Sequence, residues 1–132
     1  MTFVDSNVFM YAVGRPHPLK ATALAFFLAA YANGTLLCAS AEVLQELAHA
    51  YLRVGRQETF DAAMELMSGS GVEVWPLEAA DVLLARRLHD RHPELQARDL
   101  CYLASCQRRG VSKIMTFDTN LAVASVGVDG PA

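Results

Sequence analysis

The feature that most constrains this chain is the alternation of short apolar runs with longer helical stretches. Four runs read as buried strands, at Thr2–Asp5, Thr35–Cys38, Val72–Pro76 and Lys113–Phe117, with a weaker fifth at Ala124–Val128 as an edge. They are brief and mostly apolar, as in strands covered on both faces. Helical stretches lie between them at 17–32, 40–54, 57–68, 78–91 and 96–109, several opened by a cap or an acidic first turn, such as Ser40 before Glu42 and Glu78 with Asp81. Punctuation falls at Gly14-Arg15-Pro16, Asn33-Gly34, Gly55, Ser68-Gly69-Ser70-Gly71, His92-Pro93 and Gly110. The alternation predicts an α/β fold, a three-layer α/β/α sandwich around a central parallel sheet of four to five strands. In such sheets the ligand site lies at the carboxyl ends of the strands.

The 132 residues fit one domain, 1–132, and a 53% hydrophobic content supplies its core. The most apolar stretch, ALAFFLAAYA, is too short to cross a bilayer. Asp5 falls where a signal peptide needs its basic start, so a cytoplasmic address with no membrane contact is expected. Three cysteines, Cys38, Cys101 and Cys106, argue against a disulfide framework. On a helix Cys101 and Cys106 point about 140° apart, poor metal geometry, so buried free thiols are expected. The net charge of −3 by itself speaks against a general nucleic-acid binder.

The acids qualify that objection. Asp5 closes the first strand, and Asp118 follows the fourth in KIMTFDTN. A parallel sheet puts both at its carboxyl edge. In SAEVLQELAHAYLR, Val43, Leu47, Ala50, Tyr51 and Val54 form one helix face, and Glu42, Gln45, His49 and Arg53 the opposite one. Glu46 falls on the boundary, where a carboxylate needs a cation or donor. Asp99 opens a helix whose apolar face is Leu100, Leu103 and Ala104. Each acid has a plain reading: Asp5 as a cap for a helix through Ser6 and Asn7, Asp99 as a dipole partner, Asp118 as a turn former, Glu46 as a solvated residue. Taken together, two strand-end acids and two helix-flank acids suit one converging cluster. Oxygen-only donors without His or Cys favour a hard ion, Mg²⁺ or Mn²⁺, and phosphodiester hydrolysis is the chemistry such ions serve. No paired-His metal spacing appears among His17, His49, His89 and His92.

The segments FVDSNVFMYA, VLQELAHAY and RDLCYLASCQRRGVSKIMTFDTNL, in this order and spanning Thr2 to about Leu121, resemble the PIN domain, and within it the VapC-type toxins of bacterial toxin–antitoxin pairs. The resemblance implies an endoribonuclease that uses Mg²⁺ or Mn²⁺, is paired with a small antitoxin protein and forms a homodimer. It implies that Asp5, Glu46, Asp99 and Asp118 are the catalytic and metal-binding acids, with Thr116 in a T-x-D element. Asp5 and Asp99 would hold the principal ion with Asp118 alongside, and Glu46 would orient the attacking water or hold a second ion. Ser6 or Asn7 would meet the phosphate, and Thr116 would donate to Asp118 or the RNA substrate. Two positions depart from the pattern: Cys101-Tyr102 stand where relatives often carry His, and Asn120 where a second acid is common.

Setting the four acids aside leaves eleven basic against ten acidic side chains, so the remainder carries a slight positive excess. Arg15, Lys20, Arg53 and Arg98 lie near the acid-bearing segments as candidate phosphate contacts, while Arg108, Arg109 and Lys113 fall at the other end of their helix. Phe26, Phe27 and Tyr31 sit on a very apolar helix, read either as packing on the sheet or as a dimer or antitoxin surface. Two alternatives stand beside the nuclease. One is a receiver-type signalling module, against which stand the single acid after the first strand and the lack of an acceptor Asp in VEVWPL. The other is a PIN-fold RNA-binding protein that does not cleave.

Overall fold

The structure, a computed structural model, describes residues 1–128. Four strands, β1 (Thr2–Val4), β2 (Leu37–Ser40), β3 (Glu73–Trp75) and β4 (Lys113–Met115), form one parallel sheet in the order β3-β2-β1-β4. Seven α-helices surround it: α1 (Ser6–Val13), α2 (Lys20–Asn33), α3 (Ala41–Tyr51), α4 (Gln57–Gly69), α5 (Ala79–His89), α6 (Ala97–Arg108) and α7 (Thr119–Val128). A 3₁₀ turn, Leu52–Val54, extends α3. α1 to α4 pack on one another as one group, and α6 packs against α5 and α7 as another. The sandwich is the architecture the alternation predicts. Its strand order differs from the 2-1-3-4-5 order of receiver modules, which removes that alternative.

The central strands explain why the apolar runs are so short. All four residues of β2 are buried, as are Phe3 and Val4 of β1, whereas β3 and β4 at the edges are half open. α6 is the central helix. Leu100 to Cys106 are all buried, including Cys101, Tyr102 and Cys106, so it is covered well beyond the Leu100, Leu103 and Ala104 face. Phe3 ties the layers together, with its ring 5.1 Å from Tyr102 of α6 and 6.0 Å from Trp75 of β3. The three cysteines are free and buried. Burial pushes their thiols up, Cys38 to about 12 and Cys101 to about 11, which keeps them protonated and inert.

Two elements differ from expectation. Ala124–Val128 is not an edge strand but part of α7. The valines suggested extension, but Asp118 caps a helix there by accepting from the backbone N–H groups of Asn120 and Leu121 at 2.9 and 3.2 Å. α1 follows β1 with no loop, because Asp5 is both the last extended residue and the N-cap of the helix. On α2, Ala23, Phe27 and Ala30 pack inward while Leu28 and Tyr31 are exposed, so this helix has both a packing face and an open apolar one.

Candidate active site

The β1–β4 register builds the site. Val4 pairs with Met115, so the next residues, Asp5 and Thr116, leave the sheet side by side. Thr116 Oγ1 donates to Asp5 Oδ2 at 2.7 Å. Thr116 Oγ1 itself accepts from the Asp118 backbone N–H at 2.9 Å and from Asn7 Nδ2 at 3.3 Å. Asn7 Oδ1 in turn accepts from the Phe117 N–H at 3.3 Å. Ser6 donates to Asp5 Oδ1 from its backbone N–H at 2.6 Å and from its hydroxyl at 3.3 Å. Ser6, Asn7 and Thr116 thus brace the first acid. Their donors are engaged within the protein, and Thr116 donates to Asp5 where Asp118 was expected.

Asp5 and Asp99 are buried. Burial raises the pKa of Asp5, against the lowering effect of the Thr116 and Ser6 hydrogen bonds and the Arg98 charge. Asp99 is pushed up to about 6 by burial, opposed by Arg98 and reinforced by the negative charges of Asp5, Asp118 and Glu46. The four acids named from sequence therefore share one electrostatic neighbourhood. The plain roles hold as well: Asp5 caps α1, Asp99 stands in the first turn of α6, and Asp118 caps α7.

One cation enters this neighbourhood. Arg98 Nη1 lies 2.9 Å from Glu46 Oε2, and its Nε lies 3.7 Å from Asp99 Oδ1. Arg98, by sequence a candidate phosphate contact, is in the fold the internal partner of two site acids. Helical periodicity missed Glu42. Assigned to the solvated face of α3, Glu42 is half-buried. Its pKa is pushed up to about 7 by burial, with Asp81 and Glu46 adding to the rise and Ser40 and Arg98 opposing it. The signal available was position: Ser40 ends β2, so the first turn of α3 starts at the same sheet edge as Asp5. Among the other candidate cations, Lys20 Nζ donates to the Gly14 carbonyl at 2.6 Å, and Arg53 is exposed on the 3₁₀ turn. Arg108 and Arg109 pair instead with Glu78 and the fully buried Asp81.

The donor set suits a hard divalent cation in type: oxygen only, partly desolvated, and richer in negative charge than one arginine balances. Two buried polar atoms at the cluster, Tyr102 Oη and Arg98 Nε, have no hydrogen-bond partner among the described residues. The charges of Asp5, Glu42 and Glu46 all raise the Tyr102 pKa, after burial as the main cause, so that hydroxyl lies within their field. As the side chains lie, no three His, Cys, Asp or Glu residues among the described residues are grouped closely enough to hold one ion. Arg98 occupies the space between Glu46 and Asp99.

Comparison with known proteins gives the same region a context. The PIN domain family matches residues 2–126. Ribonuclease VapC23 of Mycobacterium tuberculosis (strain ATCC 25618 / H37Rv) is 56% identical over 124 residues, which cover 94% of this chain and 98% of that protein. Ribonuclease VapC13 of the same strain is 38% identical over 118 residues, covering 89% and 90%. Among solved structures, the Sarcin-Ricin loop cleaving toxin VapC20 of Mycobacterium tuberculosis superposes with a TM-score of 0.77 at 20% identity, covering 94% of this chain and 95% of its own. VapBC2 from Rickettsia felis, bound to a DNA fragment from their promoter, gives 0.65 at 14% identity, covering 89% and 86%.

Proposed function

The chain belongs to the PIN-domain family, and from that premise we propose that it is the endoribonuclease toxin of a VapC-type toxin–antitoxin pair. It hydrolyses RNA phosphodiester bonds, depends on Mg²⁺ or Mn²⁺, is neutralised by a small cognate antitoxin, and acts as a homodimer in the cytoplasm. The observation that carries the nuclease reading is the register-built pair of strand ends, Asp5 braced by Thr116 and followed by Asp118, with Asp99 buried in their field.

Asp5, Asp99 and Asp118 would hold the ion, with Glu46 at its margin. When bound, such an ion neutralises phosphate oxygens and acidifies water. The chain's own residues do the rest. Ser6 and Thr116 fix both oxygens of Asp5, so its orientation is set before substrate arrives. Glu46, once its ion pair with Arg98 opens, accepts the proton of the attacking water. Arg98, so released, carries its guanidinium to the phosphate, where it opposes the charge that develops in the transition state. The departing 3′-oxygen takes its proton from solvent, so a cleaved strand with a 5′-phosphate and a 3′-hydroxyl is the expected product.

The open face of α2 supports the antitoxin reading. Leu24, Leu28 and Tyr31 line an apolar cavity of about 460 Å³ with Phe27 and Leu66, a surface suited to an apolar segment of a partner. No helix among the described residues is long and apolar enough to cross a membrane.

The test is cleavage of a mixed RNA pool by antitoxin-free protein, with Mg²⁺, Mn²⁺ and EDTA in parallel and Asp5→Asn beside wild type. Metal-dependent cutting that the variant loses is the expected result. Absence of cutting by folded, metal-binding protein favours the non-cleaving RNA-binding alternative.

A further inference from the structure

Beside the brace on Asp5 lies a second constructed feature, a cavity of about 330 Å³ with Asn7, Tyr11, Arg15, His17, Tyr51 and Arg56 in its wall. The volume is at the lower end of the roughly 300–1,000 Å³ range of small-ligand sites. Its lining is aromatic and cationic, and no carboxylate contributes to it, in a chain whose net charge is −3. The Tyr11 and His17 rings lie 4.5 Å apart, and Phe117 meets Tyr11 edge-on at 5.4 Å. Across the cavity, Arg56 sits over the Tyr51 ring at 5.2 Å.

The loop that forms the mouth is fixed. His17 Nδ1 accepts from the Leu19 N–H at 3.0 Å, which leaves Nε2 to meet a ligand. Lys20 Nζ holds the Gly14 carbonyl at 2.6 Å. A Cβ on Gly14 would come within 2.5 Å of the Met10 carbonyl oxygen, so only glycine lets the chain leave α1 along this path. The cavity also communicates with the site: Asn7 in its wall donates to Thr116, which donates to Asp5.

We propose that this cavity binds one unpaired nucleotide of the RNA strand next to the scissile phosphate, with the base against Tyr11 and His17 and the phosphate on Arg15 and Arg56. The proposal rests on the nuclease reading for its neighbour and adds the group that selects where the strand is held. Aromatic faces stack any base, arginines hold backbone phosphates, and only single-stranded RNA can splay a base into such a space. A pocket of this size has no room for a duplex.

The test separates binding from cleavage. A fluorescein-labelled single-stranded RNA decamer of random sequence is titrated in EDTA and read by fluorescence anisotropy. Arg15→Ala, an exposed position that leaves packing alone, Arg56→Gln and Tyr11→Leu are each expected to weaken binding about tenfold, the effect of losing a phosphate or stacking contact. Tyr31→Ala, on the open face of α2, should bind as wild type does. An abasic decamer should bind about tenfold more weakly than RNA. Unchanged affinity in folded Arg15→Ala and Arg56→Gln, or an abasic strand bound as tightly as RNA, overturns the proposal. Binding that the three variants weaken, in a protein that cuts no RNA with any metal, supports the pocket and removes the nuclease reading. Cutting that persists with binding unaffected by the variants does the reverse.

Discussion

Arg98 Nη1 lies 2.9 Å from Glu46 Oε2 and joins the first turn of α6 to the middle of α3. Its Nε, 3.7 Å from Asp99, makes it the cation that bridges two site acids. Glu46 is three-quarters covered and Asp99 more so, with side-chain exposures of 25% and 7%. Removing the cation leaves buried negative charge unpaired. Arg98→Gln should therefore lower metal-free stability by about 1–3 kcal/mol, discounted from the cost of a fully buried pair because the guanidinium is itself partly solvated. Saturating Mn²⁺ should recover most of that loss. Urea unfolding in EDTA and in Mn²⁺ checks it, and an equal loss in both would show that Arg98 and the ion do not share a site.

The site should make the metal-free protein less stable as pH rises. Asp99, at about 6, and Glu42, at about 7, have folded pKa values above their ordinary ones, so the folded state binds protons more tightly than the unfolded chain. Their contribution is fully present below about pH 4 and is lost as pH rises through 6 and 7. Asp99→Asn should raise metal-free stability at pH 7.5 by up to about 2–3 kcal/mol, with little effect at pH 4, and should abolish Mn²⁺ binding. Urea midpoints at both pH values, with Mn²⁺ titration by calorimetry, test both halves.

Thr116 acts through Asp5. Its hydroxyl sits between Asp5 Oδ2, Asn7 Nδ2 and the Asp118 N–H. Thr116→Val keeps the shape and removes the hydrogen bonds. Metal affinity and kcat should each fall about 10–100-fold, as when the partner of a metal ligand is lost. Thr116→Ser should restore both. A valine variant with wild-type Mn²⁺ affinity would show that the brace is structural only.

Asp81 supplies a control, because its hydrogen bonds run to Glu78, Arg108 and Arg109 and to none of the four site acids. It is fully buried, accepts from the Glu78 N–H at 2.9 Å, and receives Arg108 at 2.6 Å and Arg109 at 3.2 Å. Burial alone would raise its pKa, but these partners outweigh it and hold the carboxyl low. Its stabilisation is present above the ordinary Asp pKa and is lost as pH falls below it, the opposite sign to Asp99. Asp81→Ala should cost about 2–4 kcal/mol, discounted from the roughly 3–5 kcal/mol of a broken buried pair because both arginines reach solvent, and leave the kcat for RNA cleavage unchanged below the melting temperature. Thermal melts with parallel cleavage assays decide it.

The sequence by itself determined the layer architecture and the chain order of the acids. Short apolar runs alternating with helices leave a parallel sheet as the packing that buries both faces, and an acid placed after such a run must emerge at the carboxyl edge. Two helices escaped that logic. α1, whose cap Asp5 was legible but whose run to Val13 was not, has no loop before it, and α7, TNLAVASVGV, carries neither helical periodicity nor charge and depends on the cap at Asp118. The pairing of Arg98 with Glu46, the half-burial of Glu42 and the joining of Asn7 to Asp5 through Thr116 were decided by the tertiary structure alone. Periodicity tells which residues share a face of one helix. It carries no record of which helix that face will meet, and the field at a carboxylate is set by neighbours that stand tens of residues away along the chain.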